Sequence, residues 1–213
     1  NPKTVFSSID INGRYAFQNQ STIGHWNMAV FANTLIPLIS NNQEESIELA
    51  TNTLDTYPKI FSINYYKMMY KKLGILQPNE EDKVLVNILL QLMATHEADY
   101  TNTFAALTLN KASNDSLFTL EEFKEWREQW EHRTNRENNR IKTIKLMQTQ
   151  NPLFIPRNHL VEAALENATQ GDKSKYNELL NSISKPYDYT SNNTNFQTVP
   201  DGFDESYKTY CGT

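Results

Sequence analysis

Apolar residues in this chain recur three and four positions apart along almost its whole length, and the two-residue alternation of a half-buried strand is scarce. That period commits the backbone to helices that pack by one face, so the expected fold class is all-α. Residues 28–39 carry apolar clusters at helical spacing and stop at Ser40, Asn41 and Asn42, a loop composition. Residues 43–56 read as a second helix with Ile47, Leu49, Ala50 and Leu54 turned inward. Pro58 disfavours helical backbone at Tyr57, which places a break there and a third helix over 59–73. Gly74 suits the left-handed residue past a helix end, and Lys71 and Lys72 suit its negative pole.

Asn79 followed by Glu80, Glu81 and Asp82 marks the next start, a cap with acid in the first turn. Val84, Leu85, Ile88, Leu89, Leu92 and Met93 then cover most of a helical circumference, the pattern of a central core helix. A short helix follows over 100–109. Thr119 and Glu122 have the spacing of a capping box opening a helix over 120–133, in which Phe123, Trp126 and Trp130 face the core. Residues 135–147 read as helix with Ile141, Ile144 and Met147 on one side. Asn151-Pro152 and Pro156 bracket a turn. Residues 158–169 and 173–184 form a helical hairpin around Gly171. Periodicity is lost from Lys185, and Tyr187, Tyr189, Phe196, Phe203, Tyr207 and Tyr210 mark an extended tail laid over the globule. One helical domain over 1–213 is expected.

Charge and motif content narrow the function. The 20 basic and 25 acidic residues leave a net charge of −5, so no basic excess exists to hold nucleic acid. One Cys excludes an internal disulfide and a Cys-based zinc cluster, and fits a reducing compartment. The longest apolar stretches, 84–94 and 28–39, fall short of the roughly 20 residues that cross a bilayer, so no membrane partner is expected. Phosphate-binding glycine loops and the His-Glu-x-x-His zinc motif are absent, as is the kinase His-Arg-Asp loop. Asn114, Asp115 and Ser116 lack the spacing and the central Gly of a calcium loop. His96 with Asp99 has the makings of a pH-sensitive pair, but a structural hydrogen bond is the favoured reading. Cys211, beside Gly212, is the redox candidate; a Cys with no function is an equal reading. The chain begins at Asn1 without Met and in a loop-like composition, so a fragment lacking its upstream part is expected.

Two blocks are distinctive. One is Ser8-Ile9-Asp10, Gly13-Arg14-Tyr15, Asn19-Gln20 and Trp26-Asn27. The other is Met147, Asn151-Pro152, Ile155, Arg157-Asn158, Gly171-Asp172, Pro186-Tyr187 and the ending Cys211-Gly212-Thr213. Lys72-Leu73-Gly74, Asp99 to Phe104 and Trp126, Trp130 and Arg133 lie between. In this order they resemble the C-terminal part of the selenoprotein O family, kinase-fold proteins that transfer AMP from ATP to protein hydroxyls. The resemblance implies the helical lower part of a kinase-like C-lobe over 1–110, a C-terminal helical extension over 111–184 and an extended tail over 185–213. It places the nucleotide-binding, catalytic and metal-binding residues upstream of Asn1. The expectation is thus no catalytic, cofactor-binding or metal residue in this chain, a parent that uses ATP with Mg or Mn, and a fragment inactive alone.

The same resemblance makes 28–39, entered by Trp26-Asn27, the helix beneath the catalytic loop. Asp10, Arg14 and Asn27 become candidates for supporting that loop; that Arg14 and Tyr15 merely pack a turn stands level with this. Arg157 and Asn158 read as cap and inter-helix contacts ahead of substrate ligands. Implied partners are the upstream kinase-like region and protein substrates, and apolar surface left by truncation would also let two fragments pair. The implied location is cytoplasmic for a bacterial member and mitochondrial for eukaryotic ones. Two departures stand out. Ser21 replaces the Pro usual after Asn-Gln, and Phe6 stands where some bacterial members carry a second Cys able to pair with the terminal one. A switch between that loop and Cys211 is therefore not expected. The rival reading is a non-catalytic helical interaction or redox-sensing module acting through Cys211.

Overall fold

The computed structural model describes residues 1–111, 116–136, 139–190, 194–200 and 202–210. Cys211, Asn114 and Asp115 lie outside them. The fold is all-α, as the periodicity predicts. Its residues form two compact units, 1–66 with 207–213, and 67–206. The division falls inside a helix, at Tyr66.

The first unit opens with turns and a single 3-10 turn, Phe17–Asn19, that leads into α1, Gln20–Ile39. This helix starts eight residues before the predicted 28, because Gln20 to Asn27 carries little apolar period and Asn19 gives no side-chain cap to signal the start. Trp26 and Asn27 therefore lie within the helix and do not enter it. Helix α2, Gln43–Leu54, begins where expected: Asn42 Oδ1 accepts from the amides of Glu44 (2.9 Å) and Glu45 (3.3 Å). Helix α3, Tyr57–Lys72, starts at Tyr57, two residues earlier than predicted. Pro58 sits in its first turn, where a missing N–H deprives no hydrogen bond.

Among the described residues of this unit only Ala16 and Ser46 are buried. Ile47 and Leu49, expected inward, are each 48% exposed. The reason is Ser46, whose hydroxyl accepts from the Ser40 amide (3.1 Å) and donates to Asn42 O (3.0 Å). That puts Ser46 on the inner face and rotates Ile47 and Leu49 out. Ala50 and Leu54, also expected inward, are half-buried. The aromatic rings of His25, Tyr57, Phe61 and Tyr65 stack in succession along α1 and α3. Gly24 permits this: a Cβ there would lie 2.7 Å from the Tyr57 hydroxyl.

The second unit holds helices α4, Asp82–Thr95; α5, Tyr100–Leu109; α6, Glu121–Asn135; α7, Arg140–Gln150; α8, Asn158–Thr169; α9, Ser174–Ile183; and the short α10, Phe203–Ser206. The sequence marks α4 as central, yet Val84 and Ile88 are exposed and only one face is covered. The enclosed helix is α5, in which Thr101 and every residue from Thr103 to Thr108 are buried. Its small Ala105 and Ala106 let neighbours approach, and Thr103 and Thr108 return their hydroxyls to the carbonyls of Asp99 and Phe104. The aromatic stripe is as predicted: Phe123, Trp126 and Trp130 are each 1% exposed.

The capping box is not formed. Thr119 ends a 3-10 turn and its hydroxyl donates to Ser116 O, while Leu120 takes the cap position without a side-chain bond. Helix α6 runs on to Asn135, so α7 starts five residues later than expected, capped by Asn139. Its buried face carries Thr143 and Met147, and Ile141 is exposed. Gly74 has φ +71°, and a Cβ there would sit 2.6 Å from Thr143 Cγ2, so both backbone shape and close packing require Gly. The α8–α9 hairpin turns at Gly171 as predicted, with φ +90°. Phe196 of the tail is buried with Leu153, Phe154, Ala164 and Leu179, whereas Tyr187 stays half-exposed. Among the described residues no helix is long and apolar enough to cross a membrane.

Candidate functional site

The candidates Asp10 and Arg14 share one tight loop. Asp10 accepts the Arg14 amide on Oδ1 and the Tyr15 amide on Oδ2, both at 2.8 Å. Gly13 turns the chain with φ +66°. Asn19 Nδ2 donates to Gly13 O (2.8 Å) and Gln20 Nε2 to Tyr15 O (2.7 Å), so the start of α1 clamps the loop from its far side. Asp10 is thus spent on its own backbone. What the loop presents is the Arg14 guanidinium, 4.2 Å from the Trp26 ring centroid and 5.8 Å from that of Tyr15. The cation–π contact with Trp26 holds the guanidinium at the ring face. Among the described residues Arg14 makes no ion pair. Asn27 is exposed one position along from Trp26, and its side chain has no hydrogen bond among the described residues. A cavity of about 460 Å³ beside the loop is lined by Lys3, Asp10, Asn12, Asn19 and Lys208, a mixed polar wall. The loop's capability is that of a fixed cation offered to an anionic group.

The second distinctive block does structural work in the second unit. Asn151 is fully buried; its Nδ2 donates to Lys72 O (2.8 Å) and Thr108 Oγ1 (2.9 Å), and its carbonyl accepts from the Tyr189 hydroxyl (2.8 Å). The side chain thereby joins the end of α3 to α5, and the backbone carbonyl of the same residue ties in the tail. Arg157 grips both oxygens of Asp99, at 2.6 and 3.1 Å, and Asn102 Oδ1 at 3.1 Å. Asp99 also caps α5 through the Asn102 amide. The expected contact role of Arg157 is the one observed. The His96–Asp99 pair is not: Asp99 is taken by Arg157, and His96 faces Glu122 at 3.9 Å.

Three features of this unit lay beyond the sequence reading. Arg133 clasps Asp82 (2.7 and 3.0 Å) and reaches Gln77 O. The indoles of Trp126 and Trp130 stack and donate to Leu85 O and Leu73 O, each at 2.8 Å. Lys72 is buried with its ammonium over the Phe104 ring (4.6 Å) and 3.3 Å from Gln150 O, and burial pushes its pKa down to about 8. Burial likewise raises the Tyr189 phenol. Long sequence separation hides the ion pair, and a Lys at a helix end reads as a solvated pole until the fold encloses it.

Among the described residues no three His, Cys, Asp or Glu side chains converge as a metal site. The family model for protein adenylyltransferase SelO matches residues 1–184. A protein nucleotidyltransferase YdiU of Clostridium beijerinckii is 44% identical over 212 residues, covering 99% of this chain and 43% of that protein. Its namesake in Clostridium botulinum strain Eklund 17B is 46% identical over 214 residues, covering 100% and 44%. One in Geobacillus kaustophilus is 45% identical over 213 residues, covering 99% and 44%. The chain spans less than half the length of these curated relatives.

Proposed function

The chain belongs to the SelO family, and from that premise we propose that it is the C-terminal region of a protein adenylyltransferase. The whole protein moves AMP from ATP to a Ser, Thr or Tyr hydroxyl of a protein. The hydroxyl oxygen bonds to the α-phosphorus, the bond to the β-phosphate breaks, pyrophosphate leaves, and the hydroxyl proton passes to an upstream Asp. The single observation that carries this reading is the end-to-end similarity to proteins named nucleotidyltransferases.

Magnesium or manganese would neutralise phosphate charge in such a transfer. The described residues form no group fit to hold a divalent ion, so none of them is assigned to it and no step of this chain runs through it. Their part is support. Helix α1 underlies the catalytic loop, and the Asp10 loop holds Arg14 for an acidic group of the upstream region. The proposed partners are that region and the protein substrates, in a bacterial cytoplasm. Residues 1–213 alone are inactive.

Label transfer from ATP tagged on its α-phosphate tests this, with residues 1–213 beside the full-length protein and with Mg²⁺ or Mn²⁺. Label from the full-length protein alone is the expected result. Label from neither moves the weight to a redox or interaction module acting through Cys211. Label from 1–213 alone would place an active site in this chain.

A further inference from the structure

The cavity of about 460 Å³ beside the Asp10 loop is walled by donors that the fold does not use. Among the described residues the side chains of Lys3, Ser7, Ser8 and Asn12 make no hydrogen bond. Lys208 Nζ spends one of its three protons on Val5 O, at 3.1 Å. The one carboxylate of the wall is Asp10, and each of its oxygens already accepts a backbone amide, from Arg14 and from Tyr15. Among the described residues it pairs with neither lysine. Two lysines against one committed aspartate make a locally positive field in a chain of net charge −5.

Backbone bonds hold both lysines at this wall. Lys3 lies between Pro2 and Thr4, whose carbonyls accept from the amides of Gln18 (2.9 Å) and Phe17 (3.4 Å). Lys208 lies between Tyr207, whose ring meets that of Phe6, and Thr209, which exchanges backbone hydrogen bonds with Phe6 O and the Ser8 amide. The positions of the two cations are therefore set before any ligand arrives, which lowers the ordering cost of binding.

We propose that this cavity binds a free phosphate-class oxyanion, either inorganic phosphate or a short phosphate chain. A phosphate group carries roughly −1.5 to −2 at pH 7 and three strong acceptor oxygens. That matches two ammonium groups and two serine hydroxyls, whereas a carboxylate brings a single charge and leaves one lysine uncompensated. Lysines bind phosphate as point charges. No aromatic ring lines the wall to stack a base, so the recognised group is the phosphate itself and not a nucleoside. The site lies outside the adenylyltransferase reading and does not depend on it, because binding is read without turnover.

Amide chemical shifts of the deuterated, ¹⁵N-labelled full-length protein test this, during titration with sodium phosphate at constant ionic strength. Saturable movement of the Ser7, Ser8, Asn12 and Lys208 amides is expected. The double variant Lys3→Gln, Lys208→Gln keeps an N–H donor at both positions and removes both charges; its phosphate affinity should fall about tenfold, the scale of two solvent-screened ion pairs. The charge-matched pair Lys173→Gln, Lys175→Gln, in α9 and just before it, should bind like the wild type. Equal weakening in that pair would mean that net charge alone attracts phosphate, and overturns the proposal. So does sodium acetate moving the same four amides as strongly as phosphate, or the absence of saturable movement at them. Sodium pyrophosphate identifies the form bound: tighter binding than phosphate assigns the cavity to a phosphate chain and weaker binding to a single phosphate, and either order supports the proposal.

Discussion

The amide of Thr209 donates to the carbonyl of Phe6 at 2.7 Å, and the Ser8 amide returns a bond to Thr209 O at 3.0 Å. Ser7 and Thr209 thus form a parallel bridge within an otherwise helical chain, and the Phe6 ring meets Tyr207 edge-on at 5.7 Å. This tie holds the N-terminal loop through backbone and aromatic contact, at the position where some relatives are implied to carry a Cys. Thr209→Pro removes the donor and costs about 0.5–1.5 kcal/mol locally. Faster protease cleavage in residues 1–10 is the expected result. A reductant leaves the wild-type cleavage rate unchanged; acceleration by reductant would mean a covalent tie contributes.

Asn151 offers a sharper test of the second unit. Asn151→Leu matches the volume but strands Lys72 O in the interior and takes one donor from Thr108 Oγ1, whose hydroxyl still donates to Phe104 O. Each unsatisfied buried group costs about 1–3 kcal/mol. Chemical denaturation should show a drop of that order with the slope unchanged. A loss below about 0.5 kcal/mol would mean water reaches these groups.

Arg157 is 8% exposed and its charge is met by Asp99. Asp99→Asn keeps the α5 cap acceptor and removes the countercharge together with one of the two oxygens that accept from Arg157. Breaking a buried pair from one side costs about 3–5 kcal/mol; Asp99 is 29% exposed on its side chain, so about 2 kcal/mol is expected. Arg157→Met alone should cost less than Asp99→Asn, because it leaves a partly solvated acid and not an enclosed cation. A double-mutant cycle checks this, and additive losses would count against direct coupling.

The fold class was legible because helical period is local: Asn42 capping α2, Gly74 ending α3 and Gly171 turning the hairpin all sit within a few residues of what they control. Burial was legible only where a stripe had one reading, as with Phe123, Trp126 and Trp130. It failed for Ile47 and Leu49, since the inner face of α2 is set by the Ser46 hydroxyl and not by the most apolar residues. The Asp10 loop was half legible. The block singled out Asp10 and Arg14, but Trp26 as the seat of Arg14 depends on α1 starting at Gln20. Asp82 and Arg133 are 51 residues apart and nothing local joins them.

Lys72 gives a pH dependence with a definite sign. Its pKa falls from 10.5 in the unfolded chain to about 8 in the fold, through burial. Below about pH 8 the ammonium is charged in both states and the desolvation cost is carried in full. As pH rises through 8 the folded state loses this proton while the unfolded state keeps it until about 10.5. The unfolded state then binds more protons, so stability rises over that window. The upper bound is about 3 kcal/mol, from 1.36 kcal/mol per unit. Tyr65 and Tyr189, raised by burial, act oppositely above about pH 10, where the unfolded chain loses its phenol protons first. The clean interval is therefore roughly pH 8 to 10. Denaturant midpoints there should climb in the wild type and stay flat in Lys72→Met, which keeps the stem packed against Phe104 without the charge. A wild-type midpoint that falls across this interval would show that Lys72 keeps its proton in the folded core.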